Sequence, residues 1–241
     1  MRSRGAGQEI VIPASGPGRR ALQGYLAPAV GPEVAPGVVV IHEIFGLNEN
    51  IRSIADRFSG DGYSALAVDL FSGGMRPLCL LRIFYGLLLR PFANGTLVEL
   101  QDALQFLRDD PGVDPDRVGV IGFCMGGSYA LQLACVTNGP KVASVFYGQN
   151  PRPLDAVARA CPIVGSYPER DFTAGQARNL EKALTRYAVD HDIKIYPEAR
   201  HSFFNDASAR YDAEASTDAW RRTLAFFDEH LGSRGAGLSN G

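Results

Sequence analysis

Cys124 sits between two glycines in Gly122-Phe123-Cys124-Met125-Gly126. This is the Gly-x-nucleophile-x-Gly spacing of a strand-to-helix turn, a bend sharp enough that neighbouring Cβ atoms would obstruct it. A thiol at such a bend stands before the first N–H groups of a helix, which lack intrahelical partners and stabilise a thiolate. The N–H of Met125 is placed to face a developing oxyanion as well. The competing reading is a small buried side chain in an ordinary βα unit, since free cysteine is among the most buried residue types. Cys79, Cys135 and Cys161 lack the glycine-flanked context and are assigned to packing.

A thiol nucleophile needs a base, and the base needs an orienting group. The chain has four histidines, at 42, 191, 201 and 230. His42 ends an apolar run, whereas His191 in "VDHD" and His230 among charged residues are expected to be solvated. His201, in "RHSFFND" after the run "DIKIYPEA", is the best candidate for the base. Asp171 follows "CPIVGSY" and "PER" and is the candidate orienter, with a helix N-cap as its alternative role. The resulting chain order of nucleophile, acid and histidine is that of α/β-hydrolases.

The elements that must carry these side chains alternate along the chain. "EIVIPA" and "RALQGYLAPA" read as two antiparallel edge strands, and "PGVVVIHE" (36–43) as a strand buried on both faces. A helix follows, with Ile51, Ile54, Ala55 and Phe58 on one side, then the strand "YSALAVDLF". Further strands are expected at 117–123, 142–148, 161–167 and 192–199, with helices between them and at the end. Such alternation predicts a mostly parallel twisted sheet with helices on both faces, in a single domain spanning 1–241. Ligands then gather at the carboxyl ends of the strands, where Cys124, Asp171 and His201 all fall. Residues 1–7 and 232–241, rich in Gly, Ser and Arg, are expected to be mobile tails.

A net charge of −2 gives no electrostatic case for nucleic acid or an acidic membrane surface. The cysteines form no CxxC pair and no metal-ligand spacing with the histidines. The N-terminal residues lack the apolar core of a signal peptide, so a reducing cytoplasm is the expected location. "LCLLRIFYGLLL" (78–89) is interrupted by Arg82 and is shorter than the ~20 residues that span a bilayer. Leu78, Leu81, Arg82 and Tyr85 share a helical face there. Two origins stay open for that face, core packing or a hydrophobic cap that selects bulky or aromatic esters.

"HEIFGLNENIRSIADRFSGDGYSALAVDLF", "GVIGFCMGG", Asp171 and "HSFFND" together resemble the dienelactone hydrolase family of α/β-hydrolases, from about residue 36 to 230. The resemblance implies Cys124 as nucleophile, His201 as base and Asp171 as orienter. It also implies that Glu43 is a carboxylate near the resting thiol that helps activate it, with a structural hydrogen-bond acceptor as the alternative. The oxyanion hole it implies is the N–H groups of Ile44 and Met125. Substrate contacts are expected from Phe45, Tyr85, Phe203 and Asn205. Asn205 stands where the family's prototypes carry an arginine that clamps a substrate carboxylate, and a neutral amide lacks that charge and fork. Arg76, Arg82 and Arg210 are the candidates to compensate.

The expected activity is hydrolysis of a small-molecule ester or lactone through a thioester, by a monomer or small homo-oligomer, with no metal or organic cofactor. Two rivals remain. One is a class I glutamine amidotransferase, disfavoured because position 128 is Ser rather than Gln and no late His-x-Glu follows. The other is a non-catalytic or redox-sensing binding protein on the same fold.

Overall fold

The apolar runs of the sequence pair into one eight-stranded sheet. Its strands are β1 (Gln8–Ile12), β2 (Leu22–Ala27), β3 (Ala35–Ile41), β4 (Ser64–Asp69), β5 (Val113–Phe123), β6 (Ala143–Phe146), β7 (Ile163–Arg170) and β8 (His191–Arg200). They lie in the order β1-β2-β4-β3-β5-β6-β7-β8. Among the described residues, the β1–β2 and β2–β4 pairs are antiparallel and the other five run parallel. β2 is therefore enclosed between two strands instead of lying at an edge. The computed structural model describes residues 7–16 and 19–232. The expected tails, 1–7 and 232–241, lie outside the described residues apart from Gly7 and Gly232.

β3 and β4 are buried along nearly their whole length because helices cover both faces of the sheet. The helices are α1 (Glu49–Gly60), α2 (Arg76–Leu89), α3 (Gly95–Arg108), α4 (Met125–Ala134), α5 (Thr173–Arg186) and α6 (Ala213–Leu231). Alternate residues of each strand consequently feed two separate cores. On one face, Val38, Val40 and Ile121 meet Ile51, Ile54 and Phe58 of α1 and Trp220 and Phe227 of α6. On the other, Val39, Ile41 and Val120 meet Leu100 and Leu104 of α3, Leu131 of α4 and Leu180 of α5.

The helix starts follow local chemistry. Asn48 caps α1 by accepting from the Ile51 N–H at 3.1 Å, and Asp212 caps α6 through the Ala215 N–H at 3.0 Å. Asn94 does the same for α3, accepting from the Leu97 N–H at 2.9 Å. No described helix is long and apolar enough to cross a membrane.

The helix α2 corrects the expectation for the stripe of Leu78, Leu81, Arg82 and Tyr85. It buries Cys79, Ile83 and Gly86, while Leu78, Leu81 and Tyr85 are exposed, so that stripe is neither core nor pocket wall. Arg82, also on that stripe, leans onto Glu99 of α3 through two hydrogen bonds of 2.8 and 2.9 Å. Tyr129 of α4 donates to the Ile83 carbonyl at 2.9 Å and ties the helix to the body of the protein.

Candidate active site

Cys124 links β5 to α4 with φ 54° and ψ −115°, a backbone region that L-residues seldom occupy. Close backbone approach explains the glycines around it. A Cβ at Gly122 would lie 2.1 Å from the Gly126 carbonyl oxygen, and one at Gly126 would lie 2.3 Å from the Ile41 carbonyl oxygen. At Gly127 it would meet the Phe146 carbonyl oxygen at 2.6 Å. The bend is pinned by the Cys124 N–H donating to Phe146 O at 3.0 Å and the Ser128 N–H to Cys124 O at 3.1 Å. Tyr147 and Ser202 also have positive φ, so three strained residues cluster here.

The cysteine sulfur lies 3.0 Å from Nε2 of His201, and Nδ1 of His201 lies 2.8 Å from Oδ2 of Asp171. Asp171 and His201 follow the ends of the neighbouring strands β7 and β8, which pair in parallel and bring the two together. The side chain of Asp171 accepts from the Thr173 hydroxyl and from His201, while α5 begins after Phe172. It is therefore not the side-chain N-cap of that helix. Burial pushes the Asp171 carboxyl up, but the hydrogen bonds from His201 and Thr173 outweigh it and hold it below its ordinary range. Burial likewise lowers His201, yet Asp171 and Cys124 together raise it from 6.5 to about 10. Phe172 stacks on the imidazole, with ring centroids 5.7 Å apart and planes 17° from parallel.

This shift predicts how stability depends on pH. A histidine raised from 6.5 to about 10 on folding stabilises the protein fully below pH 6.5 and loses that contribution as pH climbs through about 10. The melting temperature of the wild type is expected to fall between pH 7 and pH 10 more steeply than that of His201→Gln. Parallel melting curves would refute the shift.

The other histidines are occupied elsewhere. His42 is fully buried; its Nε2 accepts from the Leu70 N–H at 3.0 Å and its Nδ1 faces the Glu43 carbonyl. His191 places Nδ1 2.7 Å from the Val189 carbonyl. His230 is not solvated as expected: its side chain is 15% exposed, packs on Phe226 at 4.3 Å and lies 3.3 Å from Asp190.

Glu43 is buried, and each carboxylate oxygen already accepts a hydrogen bond, from Ser202 at 2.8 Å and from Asn205 at 3.0 Å. Tyr147 is buried beside it, and burial first, then the charges of Glu43 and Cys124, push its phenol well above its ordinary range. Ile44 is held by Arg76, which donates to its carbonyl at 2.7 Å.

A cavity of about 220 Å³ opens over the sulfur. Cys124, Met125, Ser128 and Gln132 line it from the loop-to-α4 side, Ile44 from the loop after β3, and His201 and Phe172 from the β7–β8 end. The helix α2 supplies Phe84, Leu87 and Leu88; Tyr147, Gln149, Asn150 and Arg152 come from the segment after β6.

Several expected substrate contacts are corrected by this geometry. Phe203 is fully buried, packing on Phe146, Tyr147 and Tyr196. Asn205 is 7% exposed and turned to Glu43. Tyr85 and Phe45 are half-exposed and outside the lining, where Phe84 and Ile44, their chain neighbours, take the places. The arginines proposed to compensate do not reach the lining either: Arg82 is committed to Glu99, Arg76 to Ile44, and Arg210 lies elsewhere. The arginine in the lining is Arg152. Tyr147 and Phe172 were legible in principle, since each directly follows a strand end or a candidate residue.

A profile of the dienelactone hydrolase family matches residues 22–231. The chain belongs to the dienelactone hydrolase family. Among its relatives, a protein of Saccharolobus solfataricus named putative carboxymethylenebutenolidase is 34% identical, over 85% of this chain and 93% of that one. A protein of the same name from Synechocystis is 32% identical, over 87% and 92%. The crystal structure of a putative dienelactone hydrolase from Klebsiella pneumoniae superimposes with a TM-score of 0.79 at 28% identity, covering 93% of this chain and 98% of that one. Family membership makes the chain an α/β-hydrolase of the kind that acts on lactones and esters.

Proposed function

We propose that the chain hydrolyses a small ester or lactone by acyl transfer through Cys124. The observation that carries this reading is the continuous line of hydrogen-bonding atoms from sulfur to imidazole to carboxylate, at 3.0 and 2.8 Å. Asp171 and the sulfur both raise His201, which makes its imidazole a strong base for the thiol proton.

In this scheme His201 takes the thiol proton, the thiolate adds to the substrate carbonyl, and the N–H groups of Met125 and Ile44 hold the oxyanion. As the tetrahedral adduct collapses, the C–O bond breaks and His201 gives its proton to the departing alkoxide, leaving a thioester on Cys124. Neutral His201 then takes a proton from water, whose oxygen attacks the thioester. The acid is released as the C–S bond breaks, and His201 returns the proton to the sulfur. Asp171 orients the ring throughout and stabilises its positive charge. Glu43 serves as a positioning residue, its charge held beside Tyr147 by Ser202 and Asn205.

The test is a panel of p-nitrophenyl esters and small lactones, with mass spectrometry of the Cys124 peptide during turnover. The expected result is turnover with an acyl adduct on Cys124. Turnover without any adduct on that peptide, or the same rate when the thiol is removed, would end the proposal.

The apolar wall of α2 sets which acyl groups fit. Phe84 and Leu88 line the cavity while remaining 38% and 46% exposed, so polar replacements there spare the core. The double variant Phe84→Gln, Leu88→Gln is expected to lose about tenfold in kcat/KM on p-nitrophenyl hexanoate relative to acetate. An unchanged chain-length profile would remove α2 from substrate selection.

A further inference from the structure

Cys124, Ser128 and Gln132 are spaced four residues apart and form one stripe of α4 facing the cavity. Gln132 is unusual within that helix. It is 2% exposed, its Oε1 is buried without a partner, and its amide makes no hydrogen bond with any described residue. Leaving a buried amide oxygen unpaired destabilises the fold, and an apolar residue of the same shape would avoid that cost.

A second residue of the same cavity carries an unpaired group. Asn150 donates through Nδ2 to the Gln176 carbonyl at 2.9 Å, and its backbone N–H donates to Gln176 Oε1 at 3.2 Å. Those bonds fix the side-chain orientation, so Oδ1 is an acceptor, and it too is buried without a partner.

Resting on the acyl-transfer reading above, we propose that Gln132 and Asn150 form a polar subsite that binds a hydroxyl group carried at the far end of the substrate's chain. The chemistry selects among candidate groups. Asn150 Oδ1 requires a donor, which rejects a carboxylate; Arg152 on the same cavity repels an ammonium. A hydroxyl gives a hydrogen to Asn150 and exchanges hydrogen bonds with the Gln132 amide. Gln132 lies eight residues along α4 from Cys124, about 12 Å of axial rise shortened by the lean of its side chain toward the N-terminus. An arm several carbons long spans that interval along the apolar wall of Phe84, Leu87 and Leu88.

The experiment compares kcat/KM for p-nitrophenyl ω-hydroxyhexanoate and p-nitrophenyl hexanoate, and for the monoacetate of hexanediol and hexyl acetate, so that either side of the ester can carry the arm. The wild type is expected to favour the hydroxylated member of at least one pair by about tenfold. In Gln132→Leu that ratio is expected to drop toward one, and the melting temperature to rise because the unpaired amide is gone. Gln132→Met serves as the second variant should leucine disturb the helix. Hydrolysis of both members of both pairs with equal efficiency by the wild type would overturn the subsite while leaving acyl transfer intact. A preference that survives both substitutions would overturn it as well. Absence of turnover on all four esters would instead sink the acyl-transfer reading and the subsite with it.

Discussion

Cys124→Ala is expected to fold normally and to lose ester hydrolysis by about ten-thousand-fold or more, because without the sulfur no acyl intermediate forms. Several features argue for a preserved fold. The side chain is only partly buried, alanine keeps the Cβ, and the bend is held by backbone bonds to Phe146 and Ser128. The same variant removes one of the two partners that raise His201, leaving Asp171 as the other. The imidazole is thus expected to titrate at lower pH than in the wild type, which proton NMR reads directly. Full hydrolytic activity in this variant would end the assignment of the nucleophile. Unchanged imidazole titration would show that the sulfur and the ring do not interact in solution.

The largest structural effect is expected from Gly126→Ala. The added methyl would lie 2.3 Å from the Ile41 carbonyl and 2.6 Å from that of His42, and both contacts are backbone, with no flexible side chain to yield. Accommodating it requires α4 to move off β3. A cost of about 3 kcal/mol or more follows, at or above the upper end for overpacking. For a chain of this size that lowers the melting temperature by ~6–12 °C. Activity is expected to fall even where the protein remains folded, since the shift re-aims the sulfur away from His201. Gly175→Ala provides the contrast: nothing lies within 4 Å of its Cβ position, it is exposed in the first turn of α5, and a gain of about 0.5–1 kcal/mol is expected. Equal melting temperatures for the two variants would refute the close-approach account of the elbow.

The sequence carries the fold class openly. Continuous β-branched runs such as "VVVI" mark strands buried on both faces, and the helices between them require parallel pairing. Cys124, Asp171 and His201 are legible for a related reason: each directly follows a strand, and parallel strands deliver their ends to the same rim. The walls of the cavity are less legible. Helical spacing groups Leu78, Leu81 and Tyr85 correctly on one face of α2, but periodicity does not say which face meets a neighbour. That choice depends on Tyr129 anchoring Ile83 and on Glu99 drawing Arg82, both contacts distant in sequence. In "HSFFND" Phe203 is expected at the substrate and is core, as is Phe204, because the turn after β8 folds both under the sheet's end against Phe146. Asn205 looks like a truncated substrate clamp and instead holds Glu43. Gln132, like Tyr147 and Phe172, was legible in principle, as a long amide in a largely apolar helix at the spacing of Cys124.

The strand order has a bearing on how this molecule fails. Cys124 leaves the middle of the sheet, whereas Asp171 and His201 ride on its outermost pair, with β8 open along one side. Loosening of that margin would carry the proton-handling half of the machinery away while the sulfur stayed anchored. Heat inactivation would then begin as a mechanical uncoupling at the rim, ahead of any collapse of the interior, and would reverse on cooling for as long as the centre holds.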